Sequence, residues 1–231
     1  MLPALRAVSL DLDNTLWDTP PVLERAEAAL ERWLARHAPG IAARFDRDAQ
    51  KQLRAALAAA HPAHAHDVSW LRREALTRCA LAAGYPTAMA ELAFAEFLRE
   101  RNVIELYADT EPALERMARR VPLFALTNGN ACVTRVGIGR YFAGALDAAA
   151  AGAAKPDARI FERLAQLAAL PAGAMLHVGD DALADVVGAR AAGFRTAWVN
   201  RAGDPWPAEL PAADHEVRDL NGLAELVESL C

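Results

Sequence analysis

The stretch Ala7-Val8-Ser9-Leu10-Asp11-Leu12-Asp13-Asn14-Thr15-Leu16-Trp17-Asp18 constrains the fold of this chain more than any other. A short apolar run leads into two carboxylates one residue apart, then into a polar turn. Such a run predicts a buried strand that delivers its acids at the carboxyl end of a sheet, where open α/β sheets hold their ligands. Side chains alternate along a strand, so Asp11 and Asp13 point the same way. Two like charges that close need a proton or a cation between them. The same letters also fit a solvated turn, where Asp and Asn are common. On this stretch alone the two readings weigh equally.

Behind Asp18 the pattern changes to helical period. Val22, Leu23, Ala26, Ala29, Leu30, Trp33 and Leu34 share one helix face, and Pro20 and Pro21 suit a loop and the first turn of that helix. After a break at Pro39-Gly40, helices are predicted from Asp48 to Ala60, from Asp67 or Ser69 through Ala83, and from Ala88 to Arg101. His61 to His66 reads as a loop. No strand pattern occurs between Thr19 and Asn102. Alternation then resumes, with a helix from Pro112 to Arg119, a strand from Pro122 to Leu126 and a weak strand from Ala145 to Ala149. A helix from Asp157 carries Ile160, Phe161, Leu164 and Leu167 on one face. A strand from Met175 to Val178 precedes a helix from Ala182 to Gly193. Strands from Thr196 to Val199 and His215 to Val217 lead to a last helix from Asn221 to Leu230.

This alternation implies a parallel sheet covered on both faces. The expected architecture is an α/β, Rossmann-like parallel sheet built by residues 1–17 and 103–231, with an all-helical domain, residues 18–102, inserted behind its first strand. The 231 residues suffice for that, and a net charge of −5 offers no basic surface for nucleic acid. Cys79, Cys132 and Cys231 are scattered, odd in number and without metal spacing, which fits reduced thiols in a cytoplasmic protein. The residues ahead of Asp11 are too few and too charged for a secretory leader, and no apolar run is long enough to span a bilayer.

Three strand runs end in polar clusters: Asp11 with Asp13, Thr127 with Asn128, and Asp180-Asp181 with Asp185 nearby. In a parallel sheet all three emerge at one edge, within reach of Lys155. Carboxylates and waters suit Mg²⁺, and Mn²⁺ accepts the same oxygen ligands. Lysine and backbone amides suit phosphate oxygens. Together these groups describe a phosphoryl-transfer site. Taken singly, each piece also fits a turn, a helix cap or a solvated surface acid. Their order on successive strand ends favours the functional reading.

The set resembles the haloacid dehalogenase-like hydrolase superfamily over the whole chain. Asp11-Leu12-Asp13-Asn14-Thr15 looks like its first motif, Thr127 its second, Lys155 its third, and Gly179-Asp180-Asp181 with Asp185 its fourth. The resemblance implies that the helical insertion is a cap. It implies Asp11 as the nucleophile that forms an aspartyl-phosphate, and Asp13 as the acid and base. It further implies that Thr127 and Asn128 bind the phosphoryl group and that Lys155 offsets its charge. Mg²⁺ would be held by Asp11, the main-chain carbonyl of Asp13, and Asp180, with Asp185 steadying the metal's water shell or Lys155. Asp181 stands where many relatives carry Ser. The dehalogenase branch does not keep a second acid for acid–base work, so Asp13 points to a phosphatase. A phosphosugar mutase and a non-catalytic phosphate-binding module rank below it.

Leu16-Trp17-Asp18, the segment His66 to Arg72, Thr127 to Ala131 and Leu176 to Asp181 together resemble bacterial phosphatases. These act on flavin mononucleotide and on its biosynthetic precursor 5-amino-6-(5-phospho-D-ribitylamino)uracil. That resemblance implies a small phosphate monoester of riboflavin biosynthesis as substrate, a nucleotide or sugar phosphate being the alternative. Trp17 is expected to line the entrance. Trp70, Arg73 and His66 are candidate substrate contacts, since rings stack on planar bases and Arg binds polar edges; Trp70 equally suits the cap's own core. Closure hinged near Asp18–Pro21 and Asn102–Tyr107 is expected to exclude water. The chain is expected to be a monomer or homodimer, with neither nucleic acid nor membrane as partner.

Overall fold

The first apolar run forms β1 (Ala7–Leu10), buried along its whole length, because a run without alternation needs cover on both faces. The computed structural model describes residues 4–231. It divides into two units, Met1–Asp18 with Glu105–Cys231, and Thr19–Ile104.

Thr19–Ile104 is all-helical: α1 (Thr19–His37), α2 (Pro39–Arg44), α3 (Arg47–Ala60), α4 (Val68–Ala82) and α5 (Ala88–Arg101). Pro39-Gly40 is no break but the first turn of α2, where a missing proline N–H costs nothing. Asp46 caps α3, accepting the Ala49 N–H at 2.8 Å, so the helix starts just ahead of Asp48. Asp67 rather than Ser69 caps α4, accepting the N–H groups of Ser69 and Trp70 at 3.0 and 2.8 Å. Ala26, Leu30, Leu34, Leu76, Cys79, Phe94 and Phe97 form the unit's core. Arg72 is buried beside them, donating to both oxygens of Glu27 at 3.1 and 2.7 Å, with its guanidinium 3.6 Å over the Phe97 ring.

In the other unit, α6 (Thr110–Ala118), β2 (Leu123–Thr127), α7 (Val133–Val136), β3 (Phe142–Asp147), α8 (Ala148–Ala151) and α9 (Ala158–Ala168) follow β1. Then come β4 (Met175–Gly179), a π-helical turn (Ala182–Val187), α10 (Gly188–Ala191), β5 (Arg195–Val199), β6 (His215–Val217) and α11 (Leu220–Leu230). All neighbouring strands are parallel, in the order β3-β2-β1-β4-β5-β6. The order reverses between β1 and β4, and ligands favour the crevice at such a point.

Alternation sends Ala7, Ser9, Met175 and His177 to the face that α9 covers with Ile160, Phe161 and Leu164. Leu167, expected on that same face, is 50% exposed; it lies beside Gly144 on the edge strand β3, where the sheet ends. β3 itself starts earlier than the expected Ala145 and ends at Asp147, whose carboxylate turns to cap α8 through the Ala150 N–H at 2.7 Å. The helix expected from Ala182 to Gly193 opens as the wider π turn. That turn carries Asp185 into the buried sheet end and passes Gly188 against Pro156, where a Cβ would stand 2.7 Å from the proline Cα. All three cysteines are free. Among the described residues, no helix is long and apolar enough to cross a membrane.

Candidate active site

β1, β2 and β4 end side by side, and the residues just past them line one pocket of about 170 Å³. Its walls include Asp11, Asp13, Thr127, Asn128, Lys155, Asp180 and Asp185, so the three strand-end clusters and the lysine do converge. Every residue lining it belongs to the sheet-bearing unit. Asp11 is fixed to the sheet by its own N–H, which donates to the Val178 carbonyl at 2.8 Å. The Thr127 hydroxyl accepts the Gly129 N–H at 2.9 Å, tightening the turn after β2. Asn128 clasps the lysine loop twice: its side-chain amide donates to the Lys155 carbonyl at 2.9 Å and its oxygen accepts the Lys155 N–H at 2.8 Å.

Lys155 is 5% exposed, and its ammonium has three acceptors: the Asp11 carboxylate, the Leu126 carbonyl at 3.0 Å and Asp185 at 2.6 Å. An ammonium has three protons, so none is left over. Burial alone would lower the Lys155 pKa, yet the carboxylates of Asp11 and Asp185 hold it above its ordinary value. Burial likewise opposes ionising Asp185, but Lys155 and His177 hold its carboxyl well below the usual range. Lys155 thus forms an ion pair with each of the two carboxylates. Two carboxylates share one ammonium, and of the two Asp11 is the one whose pKa burial pushes well above the ordinary value despite Lys155. Asp180 is pushed up to about 6 by burial and then by Asp185.

That imbalance is a test of metal fit. Carboxylate oxygens of Asp11, Asp180 and Asp185 lie within 4.8 Å of one another, against one ammonium. Three hard oxygen donors with excess negative charge suit Mg²⁺. Asp185 is the most committed of the three, since it also accepts the Asp181 N–H at 3.0 Å and the His177 Nε2 at 3.1 Å. The Asp181 carboxylate caps the π turn through the Leu183 and Ala184 N–H groups, both at 2.8 Å. Asp13 is not in this cluster; its carboxylate accepts the Trp17 indole N–H at 2.9 Å.

Gly179 has a local reason to be glycine: a Cβ there would fall 2.1 Å from the Asp185 carboxyl carbon. Gly179→Ala is therefore expected to displace Asp185 and to destabilise the protein by about 1–3 kcal/mol. Wild-type melting together with wild-type activity in that variant would rule out this placement of Asp185.

Trp17 does not line an entrance. It is fully buried, its indole N–H donates to Asp13, and the chain doubles back there in two short bridges, Asp13 to Trp17 and Trp17 to Leu106. Trp70 stands on α4, stacked on His64 at 4.2 Å and edge-on to His61, packed with Leu57, Leu71 and Ala75. Arg73 is exposed, 4.5 Å over Phe94 and 3.5 Å from Glu91. His66 is half-buried in the turn before α4. Sequence reasoning gave no role to Thr15, whose hydroxyl donates to Asp180 at 3.1 Å, or to Trp198, whose N–H donates to the Asp180 carbonyl at 2.7 Å. It also passed over Arg201, which donates to the Thr15 carbonyl at 3.1 Å and to both oxygens of Asp109. The polar Ser9 and His177 inside buried apolar strands were a legible signal of the same kind.

A family model for haloacid dehalogenase-like hydrolases matches residues 5–193. The chain is 34% identical over 202 residues to the 5-amino-6-(5-phospho-D-ribitylamino)uracil phosphatase YigB of Escherichia coli (strain K12), covering 86% of this chain and 84% of that protein. It is 38% identical over 153 residues to a phosphoserine phosphatase of Thermus thermophilus, covering 63% of this chain and 58% of that protein. The crystal structure of a 2-haloacid dehalogenase from Pseudomonas syringae pv. Tomato DC3000 matches with a TM-score of 0.92 at 36% identity, over 98% of this chain and 100% of that one. With its motifs gathered in one pocket and a family match over most of its length, the chain belongs to the haloacid dehalogenase-like hydrolases.

Proposed function

We propose that this chain hydrolyses phosphate monoesters through an aspartyl-phosphate on Asp11, with 5-amino-6-(5-phospho-D-ribitylamino)uracil or flavin mononucleotide as substrate. The observation that carries the reading is Asp13, in the pocket wall two residues from Asp11 and oriented by the Trp17 N–H. Asp11 attacks phosphorus, and the bond from phosphorus to the ester oxygen breaks. Asp13 gives its proton to that leaving oxygen. In the second half Asp13 takes a proton from the incoming water. The bond between phosphorus and Asp11 then breaks, which frees phosphate, restores the Asp11 carboxylate and leaves Asp13 protonated as at the start.

The Thr127 oxygen already accepts from Gly129, so its O–H is left to donate to a phosphoryl oxygen. Lys155 contributes charge and the placement of Asp11. Asp11 and Asp180 would hold Mg²⁺, which would supply positive charge to offset the phosphoryl oxygens. Whole small-molecule ligands fill pockets of roughly 300–1,000 Å³. A pocket of about 170 Å³ therefore takes the phosphoryl end alone, and the rest of the substrate is chosen outside it. The flavin-pathway assignment is supported by the similarity to the E. coli phosphatase over most of both chains.

The similarity to a 2-haloacid dehalogenase favours a second reading, attack by Asp11 on a halogenated carbon. One panel separates the two. Wild-type protein with Mg²⁺ is given both flavin-pathway phosphates, nucleoside monophosphates, sugar phosphates and 2-chloropropionate, and phosphate and chloride release are measured. Fastest phosphate release from the flavin-pathway compounds is expected. Preference for nucleotides or sugars would keep the chemistry and discard the flavin assignment, and chloride release without phosphate release would install the second reading.

A further inference from the structure

His177 is 1% exposed and lies in the middle of β4, opposite Ser9 of β1 in the sheet register. A histidine stripped of water on both nitrogens is stable only if both are bonded. Both are: Nδ1 lies 2.8 Å from the Ser9 hydroxyl and Nε2 lies 3.1 Å from Asp185 Oδ1. The Phe161 ring packs edge-on against the imidazole at 5.1 Å. Asp185 and Lys155 are the charged groups that face the ring. Asp185 already accepts at both oxygens, from the Lys155 ammonium at Oδ1 and the Asp181 N–H at Oδ2, so the hydrogen it shares with the ring belongs to Nε2. Nδ1 then offers a lone pair, which accepts the Ser9 O–H.

Asp185 is held at both of its oxygens. Oδ1 takes the Lys155 ammonium and His177, while Oδ2 takes the Asp181 N–H. Removing the His177 donor leaves Oδ1 with Lys155 alone, and the carboxylate gains freedom to swing. Lys155 would follow, because its three N–H groups are divided among Asp185, Leu126 and Asp11. We infer that Ser9 and His177 are positioning residues that lock the Asp185 carboxylate and, through the Lys155 ammonium, set the place of Asp11. The kinetic consequence rests on Asp11 being the nucleophile of phosphate-ester hydrolysis; the hydrogen-bond assignment does not.

The test uses His177→Leu and His177→Gln in the full chain with p-nitrophenyl phosphate and Mg²⁺, together with the imidazole ¹⁵N–¹H spectrum of the wild type at neutral pH. His177→Leu is expected to lower kcat by about 10–100-fold, the range for partners that orient a site's ligands. KM should move by less than about threefold, since the change removes orientation rather than ground-state binding. Glutamine keeps an N–H donor of similar reach and is expected to restore most of kcat. The wild-type spectrum is expected to report a neutral ring with hydrogen on Nε2. An unchanged kcat in folded His177→Leu, glutamine no better than leucine, or hydrogen on Nδ1 would each overturn the inference. Should His177→Leu not fold, the glutamine variant and the spectrum decide. If the wild type hydrolyses no phosphate monoester, the functional reading fails while the spectrum still judges the hydrogen-bond assignment.

Discussion

Asp11→Asn is expected to reduce phosphate release by at least about a thousandfold, as loss of a covalent nucleophile does elsewhere, while leaving the protein folded. The amide keeps the shape of the carboxyl and can still face Lys155, but it cannot attack phosphorus. The stability effect runs the other way. Burial raises the Asp11 pKa, so the folded protein binds that proton more tightly than the unfolded chain does. Stability from this group is present at low pH and is lost as pH rises through the raised value. Asparagine, neutral at every pH, removes that loss. In metal-free buffer at neutral pH the variant is expected to melt at or above the wild-type temperature. Phosphate release at more than a hundredth of the wild-type rate would remove Asp11 from the nucleophile's role.

Lys155→Met is expected to cost far more in folding. It strips the ammonium from Asp185, a carboxylate 2% exposed, and leaves the charge with only the His177 and Asp181 donors. Breaking a buried pair on one side typically costs about 3–5 kcal/mol. At about 2–4 °C per kcal/mol for chains of this size, melting should fall by roughly 6–20 °C. The sign with pH follows from Asp185. Its carboxyl is depressed in the wild type by Lys155 and then His177, working against burial. Without the ammonium it rises, so acidification should narrow the gap between variant and wild type as the buried charge takes up a proton. Arginine is not expected to rescue the variant, because a planar fork cannot reproduce a tripod on three acceptors around one nitrogen. A melting temperature within about 2 °C of wild type would refute the pairing.

Much of this site was legible because its residues sit where a pattern breaks. An apolar strand that ends in acids marks Asp11 and Asp180, and the three polar strand ends share one sheet edge only if the strands are parallel, which the helical alternation required. Position in space was harder to read. Trp17 follows the acids closely enough to suggest an entrance, yet the chain folds back there and Trp17 is fully buried, bonded to Asp13. Helical period gave no warning of the π turn after Asp181, since its cause is remote: Gly188 must pass Pro156, and Asp185 must meet Lys155. The role of Asp185 therefore depends on a partner thirty residues away, which no local pattern encodes.

The insertion of five helices directly after β1 has a consequence for how the chain is made. Val8 finds its sheet neighbours in Leu123 and Leu176. During synthesis β1 emerges first, and the whole of Thr19–Ile104 follows before β2 exists. That helical unit carries its own apolar core and can settle early, whereas the strand bearing the nucleophile must wait, with both edges unpaired. Waiting edges are where chains stick to one another. Slowing translation between Thr19 and Leu123 would lengthen the exposure of β1, while a chaperone that holds this short apolar run would shorten its hazard.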